Sequence, residues 1–117
     1  MRVWVPLTMR DLAAHHAAGE VPPGQDRLVA PEDEESEYAA LLEAAEASAA
    51  RLREQGDEGG RRVVLVAELG GSADPDGPVP LRRVVAVHVD VRPGAAPEED
   101  LGWFAPQEVP ALLAGEL

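Results

Sequence analysis

Residues 61–69 and 81–91, RRVVLVAEL and LRRVVAVHVDV, are two valine-rich stretches whose pairing decides the fold. The first stretch is a continuous apolar run, which is typical of a central strand buried on both faces. The second stretch alternates valines with Ala86, His88 and Asp90, which predicts another strand. Because a loop rich in glycine and proline, GGSADPDGPVP, separates them, we expect the two strands to pair side by side and antiparallel.

Antiparallel pairing predicts a sheet that is apolar on both faces. The first face would carry Val63, Leu65, Val85 and Val87, and the second face would carry Val64, Val66, Val84, Ala86 and, from an N-terminal strand, Trp4. A single layer of helix covers one face only, so the second face needs another cover. The candidates for this cover are the C-terminal segment and a second copy of the protein.

Capping residues predict a helix directly after the N-terminal strand. Residues 2–5 are the expected strand, which ends at Pro6 because proline has no backbone N–H to donate. Thr8 and Asp11 have the spacing of a capping box, and Gly19 is the expected end of the helix that they start.

A second, longer helix is predicted over residues 33–55. Its expected core face is Tyr38, Leu41, Leu42, Ala45, Ala49 and Leu52. Residues 101–105 predict an edge strand that buries Trp103 or Phe104, and Pro110 is expected at the start of a short final helix. Together these elements predict an α+β fold of order β-α-α-β-β-β-α. We expect two layers, with a small mixed sheet of three to four strands on the long amphipathic helix, in one domain of residues 1–117.

Cross-strand ion pairs are expected at the two ends of the valine-rich hairpin. Antiparallel pairing brings Glu68 near Arg82, and it brings Asp90 near Arg61 or Arg62. The arginines therefore lie at opposite ends of the sheet and do not form one anion-binding patch.

Composition excludes several partners and chemistries. The net charge of -12 opposes direct binding to nucleic acid or to an anionic membrane, because like charges repel. The chain has no cysteine and no lysine, so thiolate metal sites, disulfides and Schiff-base chemistry are excluded. No signal-peptide pattern and no apolar run of membrane-spanning length occurs, so we expect a cytoplasmic protein.

No motif in the chain predicts a catalytic, cofactor or metal site. His15 and His16 are adjacent on a helix and point about 100 degrees apart, so they do not chelate one ion. The acidic run EDEESE, residues 32–37, spreads around the first turn of the long helix, where carboxylates favour the helix dipole. No serine lies in a G-x-S-x-G elbow, and neither phosphate-binding glycine motif is present. We therefore expect no catalytic residue, no cofactor and no metal.

Two resemblances bear on the fold. WFAPQEVPALL, residues 103–113, resembles the tail of many Nudix hydrolases, but the motif that performs Nudix chemistry, G-x5-E-x7-R-E-x2-E-E-x-G, has no match in the chain. Over nearly the full length, RVWVPLT, EYAALLEAA and WFAPQEVPALL resemble a family of small acidic actinobacterial proteins with a domain of unknown function. The second resemblance implies a shared fold and no known activity.

The leading hypothesis is a noncatalytic protein that associates with itself or with a cellular protein through the second sheet face. The candidate partner-binding residues are Trp4, Val64, Val66, Val84 and Trp103. One alternative is a small enzyme or ligand-binding protein whose pocket gathers His88, Asp90, Glu108 and His16 near the C-terminal strand. Another alternative is that the acidic helix start mimics phosphate for a basic partner.

Overall fold

The computed structural model describes residues 1–117 and has a mixed α+β fold. The strands are β1 (Arg2–Leu7), β2 (Glu20–Val21), β3 (Leu28–Val29), β4 (Val63–Glu68), β5 (Val79–Pro80), β6 (Val84–Val89) and β7 (Gly102–Phe104). The helices are α1 (Met9–Ala18), α2 (Glu34–Glu54) and α3 (Val109–Leu113), and short 3₁₀ turns span Leu81–Arg83 and Pro106–Glu108. None of the helices is long and apolar enough to cross a lipid bilayer.

The main sheet has five strands in the order β3-β1-β4-β6-β7, and every neighbouring pair is antiparallel. Strands β2 and β5 form a separate two-stranded ribbon. The α+β class is confirmed, whereas the predicted mixed sheet of three to four strands is wrong in strand number and direction. The additional strands β2, β3 and β5 have two residues each, which is too short for an alternating pattern to predict.

The predicted antiparallel pairing of the two valine-rich strands is confirmed, with Leu65 opposite Val87. The ladder is irregular between Val66 and Ala67, and Val84 lies opposite Ala67. A bulge of this kind moves the following side chains to the other face of a strand. As a result Val84 packs against the first-face core, and Val85 is exposed, which corrects the faces that we predicted for both residues.

Different helices pack on the two faces of the sheet. The first-face core contains Val3, Val5, Leu7, Val63, Leu65, Val87 and Val89, and it is closed by Leu12 of α1, Val21 and Val79 of the ribbon, and Val109 and Leu112 of α3. We predicted the C-terminal segment as a possible cover of the second face, and this is corrected because α3 packs on the first face. Helix α2 packs on the second face.

Helix α2 contacts the sheet through its small side chains. Ala40, Ala44 and Ser48 are buried at spacings of four residues over the second face, whereas Tyr38 and Leu42 are exposed. The predicted core face of α2 is therefore confirmed in part, because Ala45 and Leu52 are buried and Leu41 packs against the second-face core. Small residues let the helix approach the sheet closely. The gain from this close packing outweighs the burial of Tyr38 and Leu42 that another orientation of the helix would give.

The predicted helix boundaries agree with the structure to within one residue. The Thr8 hydroxyl accepts from the amide of Asp11, and the Asp11 carboxylate accepts from the amide of Thr8 at 3.0 Å each. Gly19 ends α1 with φ of 82°, in the left-handed region that favours glycine. Pro6 lies inside β1, where it is tolerated because β3 pairs only with Val3 and Trp4 and leaves that side of β1 open.

Candidate functional site

A groove runs along the second face of the sheet between α2 and the C-terminal edge strand β7. It forms because α2 lies over β1 and β4, so β6 and β7 extend beyond the helix on that face. The groove has a volume of about 860 Å³, within the range of small-ligand and peptide sites. We call it the α2–β7 groove.

Its apolar wall and floor carry the largest exposed apolar side chains of the chain. Trp103 on β7 is 61% exposed, Tyr38 on α2 is 57% exposed and Leu42 on α2 is 50% exposed. His88 on β6 is the cross-strand partner of Trp103, so both side chains lie on the same face of the sheet. The aromatic ring of Trp103 is therefore held beside the imidazole on the groove floor.

One end of the groove is built by a buried ion pair between Arg62 and Asp90. The Asp90 carboxylate accepts from Arg62 Nε at 2.9 Å, from Arg62 Nη2 at 2.7 Å and from the Arg62 backbone amide at 2.8 Å. The same guanidinium donates to the carbonyls of Ala96, Pro97 and Glu99, which lie in the loop that leads into β7. Arg62 therefore ties this loop to the sheet, and hydrogen bonding to Asp90 raises the pKa of its guanidinium.

The rim of the groove at this end is acidic. The rim carboxylates are those of Glu46, Glu58, Glu98, Glu99 and Asp100. Glu99 pairs with Arg92, whereas the other four have no cation within ion-pair distance. The cations that line the groove are Arg53 and Arg62, and Asp90 already neutralises Arg62. The groove therefore has an excess of negative charge beside Trp103.

The opposite end of the groove is electrically balanced. A smaller recess of about 380 Å³ shares Tyr38, His88 and Trp103 with the main groove and extends to Arg2 and Glu37. Arg2 pairs with Glu37 at 3.1 Å and with Glu68 at 2.9 Å. The predicted partner of Glu68, Arg82, is wrong because β1 lies antiparallel beside β4 and brings Arg2 opposite Glu68.

Burial lowers the pKa of the His88 imidazole below its ordinary value of 6.5. The imidazole is therefore neutral at pH 7 and offers one hydrogen-bond donor and one acceptor to the groove. No group of three His, Asp or Glu side chains is arranged to hold a metal ion.

The lowered pKa of His88 predicts a pH dependence of folding. Unfolding exposes the imidazole and restores its ordinary pKa, so the unfolded chain binds more protons as the pH falls through about 6.5. The free energy of unfolding should therefore fall between about pH 7.5 and pH 5.5. Burial also lowers the pKa of His15, which changes stability in the same direction. To isolate the contribution of His88, urea denaturation of the wild type is compared with that of His88→Gln.

We expect the stability of His88→Gln to fall less steeply over this interval than that of the wild type. The matched control is His16→Gln, which removes an exposed imidazole from α1. Equal slopes for the wild type and His88→Gln would contradict the prediction.

The predicted partner-binding residues divide between the core and the groove. Trp4, Val64 and Val66 are buried beneath α2, and Val84 packs against the first-face core, although Trp4 and Val66 also line the smaller recess beside Tyr38. The expectation that the second face is open there is corrected by the position of α2. Trp103 is exposed and lies in the α2–β7 groove.

The alternative pocket of histidine and carboxylates is only partly assembled. His88 and Asp90 line the groove, whereas Glu108 and His16 do not. Asp90 is 1% exposed and bound by Arg62, and the Glu108 carboxylate accepts from the Ala105 amide at 2.8 Å. Asp90 is therefore engaged by Arg62, and Glu108 lies outside the groove, so the two carboxylates and His88 do not form one pocket.

The α2 wall of the groove and the Arg62 bonds to the loop are not among the features that the sequence predicts. The sequence predicts Tyr38 and Leu42 on the core face of α2, because apolar periodicity does not distinguish a core face from a groove wall. The hydrogen bonds from Arg62 to the loop carbonyls involve backbone acceptors, so no pattern of side chains in the sequence predicts them. One pattern in the sequence does indicate the buried face of α2. Ala40, Ala44 and Ser48 recur at spacings of four residues and form a narrow surface of small side chains against the sheet.

Residues 1–96 match a family described as a family of unknown function, DUF6912. The chain belongs to this family. The DUF6912 match includes β1 to β6, α1 and α2, and thus the α2 wall and the β6 floor of the groove. Strand β7 and Trp103 lie beyond the matched residues. No curated protein and no solved structure matches the chain.

Proposed function

We propose that this DUF6912 protein is a noncatalytic binding domain that holds a segment of a partner protein in the α2–β7 groove. One observation carries the proposal. Trp103, Tyr38 and Leu42, three large apolar side chains that are each at least half exposed, border the same groove. Contiguous exposed apolar surface of this kind, rimmed by polar residues, is typical of interaction sites.

The position of α2 supports the proposal. The helix turns Ala40, Ala44 and Ser48 towards its own core and leaves the larger Tyr38 and Leu42 on the groove side. Burial of a side chain of this size contributes about 1.5–3 kcal/mol relative to exposure. Because Leu42 and Trp103 are already partly buried, a partner segment that covers both gains roughly half of this contribution from each, without any rearrangement of the core.

The edge strand β7 adds a main-chain element to the groove. β7 is the last strand of the sheet, so one of its sides has no neighbouring strand. Edge strands can pair with an incoming extended segment while adjacent pockets take its side chains. The chemistry of the site also favours binding over catalysis, because Asp90 and Glu108 are both engaged in structural hydrogen bonds.

We propose a different protein, not a second copy of this chain, as the partner. Two copies of charge -12 repel each other, and the groove rim is itself acidic. A cytoplasmic location, an actinobacterial source and the single domain of residues 1–117 belong to the same proposal.

The proposal is tested by selecting a displayed random-peptide library against the wild-type protein. We expect enriched peptides to bind the wild type and the Val29→Ala variant equally, since Val29 is an exposed valine at the opposite edge of the sheet. Binding to Trp103→Ala and to Leu42→Ala should be at least about tenfold weaker, as for central interface residues. Circular dichroism checks that each variant is folded.

Two results would overturn the proposal. Enriched peptides that bind Trp103→Ala and Leu42→Ala as tightly as the wild type would place binding elsewhere on the surface. A dimer in light scattering that Trp103→Ala dissociates would make the groove a self-association surface.

A further inference from the structure

We infer that the segment bound in the α2–β7 groove is cationic and amphipathic, with apolar side chains between Leu42 and Trp103 and arginine or lysine side chains against the rim carboxylates. This inference rests on the proposed function and adds the chemistry of the partner. It is carried by the way charge and apolar surface are distributed along the groove.

The charge around the groove is unbalanced at one end. Glu46, Glu58, Glu98 and Asp100 are exposed and have no cation within ion-pair distance. Carboxylates that converge around an apolar groove attract a cationic segment and repel an anionic one before contact is made. The acidic rim therefore selects for positive charge on the occupant.

The tryptophan of the groove fits the same occupant. Trp103 is 61% exposed and lines the groove, so part of its ring is open to solvent. Guanidinium and ammonium groups are attracted to aromatic ring faces, tryptophan most strongly, and their methylene stems cover apolar surface. Arginine and lysine can therefore contact Trp103 and a rim carboxylate together.

The opposite end of the groove gives the segment a direction. There Arg2 is neutralised by Glu37 and Glu68, so that end attracts neither sign of charge. The occupant's apolar residues fit this end, beside Tyr38 and Val85, and its basic residues fit the end formed by the loop that Arg62 clamps. A segment with basic residues clustered at one end and apolar residues at the other therefore matches both ends of the groove.

The experiment uses two synthetic amphipathic peptides with identical apolar residues and either arginine or glutamine at the polar positions. Binding is measured by titration calorimetry at two salt concentrations. We expect the arginine peptide to bind at least about tenfold more tightly than the glutamine peptide, because several exposed pairs of modest strength add together. The difference should shrink at high salt, where surface charges are screened.

A pair of triple variants separates the groove from the overall charge of the protein. The rim variant carries Glu58→Gln, Glu98→Gln and Asp100→Asn. The control variant carries Glu20→Gln, Asp76→Asn and Glu116→Gln, which are exposed and lie outside the groove lining. Both variants lose the same charge, so we expect only the rim variant to weaken binding of the arginine peptide, by about tenfold.

Failure of this inference is distinguishable from failure of the proposed function. Tight, Trp103-dependent binding of the glutamine peptide, equal to that of the arginine peptide, would overturn the cationic occupant and leave the groove as a binding site. Equal weakening by the rim and control variants would reduce the effect to overall charge and overturn the inference. Arginine amide that binds as tightly as the arginine peptide would make the groove a small-molecule site and overturn both.

Discussion

Replacing Asp90 with alanine should lower the free energy of unfolding by about 3–5 kcal/mol, the usual cost of leaving one partner of a buried ion pair alone. Asp90 is 1% exposed, and it accepts three hydrogen bonds from Arg62. Its removal leaves a buried guanidinium without a counter-charge and a buried amide without an acceptor. Urea denaturation followed by circular dichroism measures the loss.

The same substitution should loosen one end of the α2–β7 groove. Arg62 donates to the carbonyls of Ala96, Pro97 and Glu99, and its guanidinium is also bonded to the Asp90 carboxylate. We therefore expect faster amide hydrogen exchange across residues 92–100 in Asp90→Ala, a local change that the urea transition does not report. Asp90→Asn keeps the side-chain shape and serves as the second variant if Asp90→Ala does not fold.

Two matched variants identify burial as the cause of the loss. The Arg92–Glu99 pair joins the same types of side chain, but both are well exposed, so Arg92→Ala should cost less than about 1 kcal/mol. The double variant Asp90→Ala/Arg62→Met removes both charges, and it should be more stable than Asp90→Ala alone. A loss of under about 1 kcal/mol in Asp90→Ala, as in an exposed pair, would contradict this account.

The ion pair of Asp90 was predictable to within one residue, Arg61 or Arg62, because it depends on the pairing of β4 with β6. Two valine-rich strands joined by a turn-forming loop pair antiparallel, and this brings the start of one beside the end of the other. The caps at Thr8 and Gly19 were predictable for a similar reason, since they satisfy local backbone groups with residues a few positions away. The same pairing argument failed for Glu68 and Arg82, because β1 also pairs with β4 and brings Arg2 to Glu68.

The groove was not predictable because it depends on how α2 lies on the sheet. Periodicity favours a core face centred on Leu41 and Leu42, which are large apolar residues of the helix. The structure instead buries Ala40, Ala44 and Ser48, and this choice depends on close contact with Trp4 and Val66 from other segments. The bulge after Val66, which exposes Val85, also depends on tertiary packing that single-sequence patterns do not contain.

The burial of Ser48 between α2 and the sheet predicts a second large effect on stability. Its hydroxyl donates to the Leu7 carbonyl at 2.6 Å and accepts from the Val63 amide at 2.9 Å, and the residue is fully buried. Leu7 and Val63 are the last pair of the β1–β4 ladder, so Ser48 satisfies two backbone groups at the sheet end. An unsatisfied buried group costs about 1–3 kcal/mol, and Ser48→Ala should therefore lose about 2–4 kcal/mol after a small gain in helix propensity.

The measurement is urea denaturation of Ser48→Ala beside Ser72→Ala, which removes a hydroxyl from an exposed loop and should change stability by less than about 0.5 kcal/mol. Amide exchange gives the local readout, since the Val63 amide should lose more protection than the Leu65 amide in the middle of β4. Because Ser48 joins α2 to both strands at one point, its loss should also reduce binding in the groove that α2 walls. If the two serine variants are equally stable within experimental error, water or a shifted backbone replaces the hydroxyl. The packing of α2 on the sheet would then depend on its alanines alone.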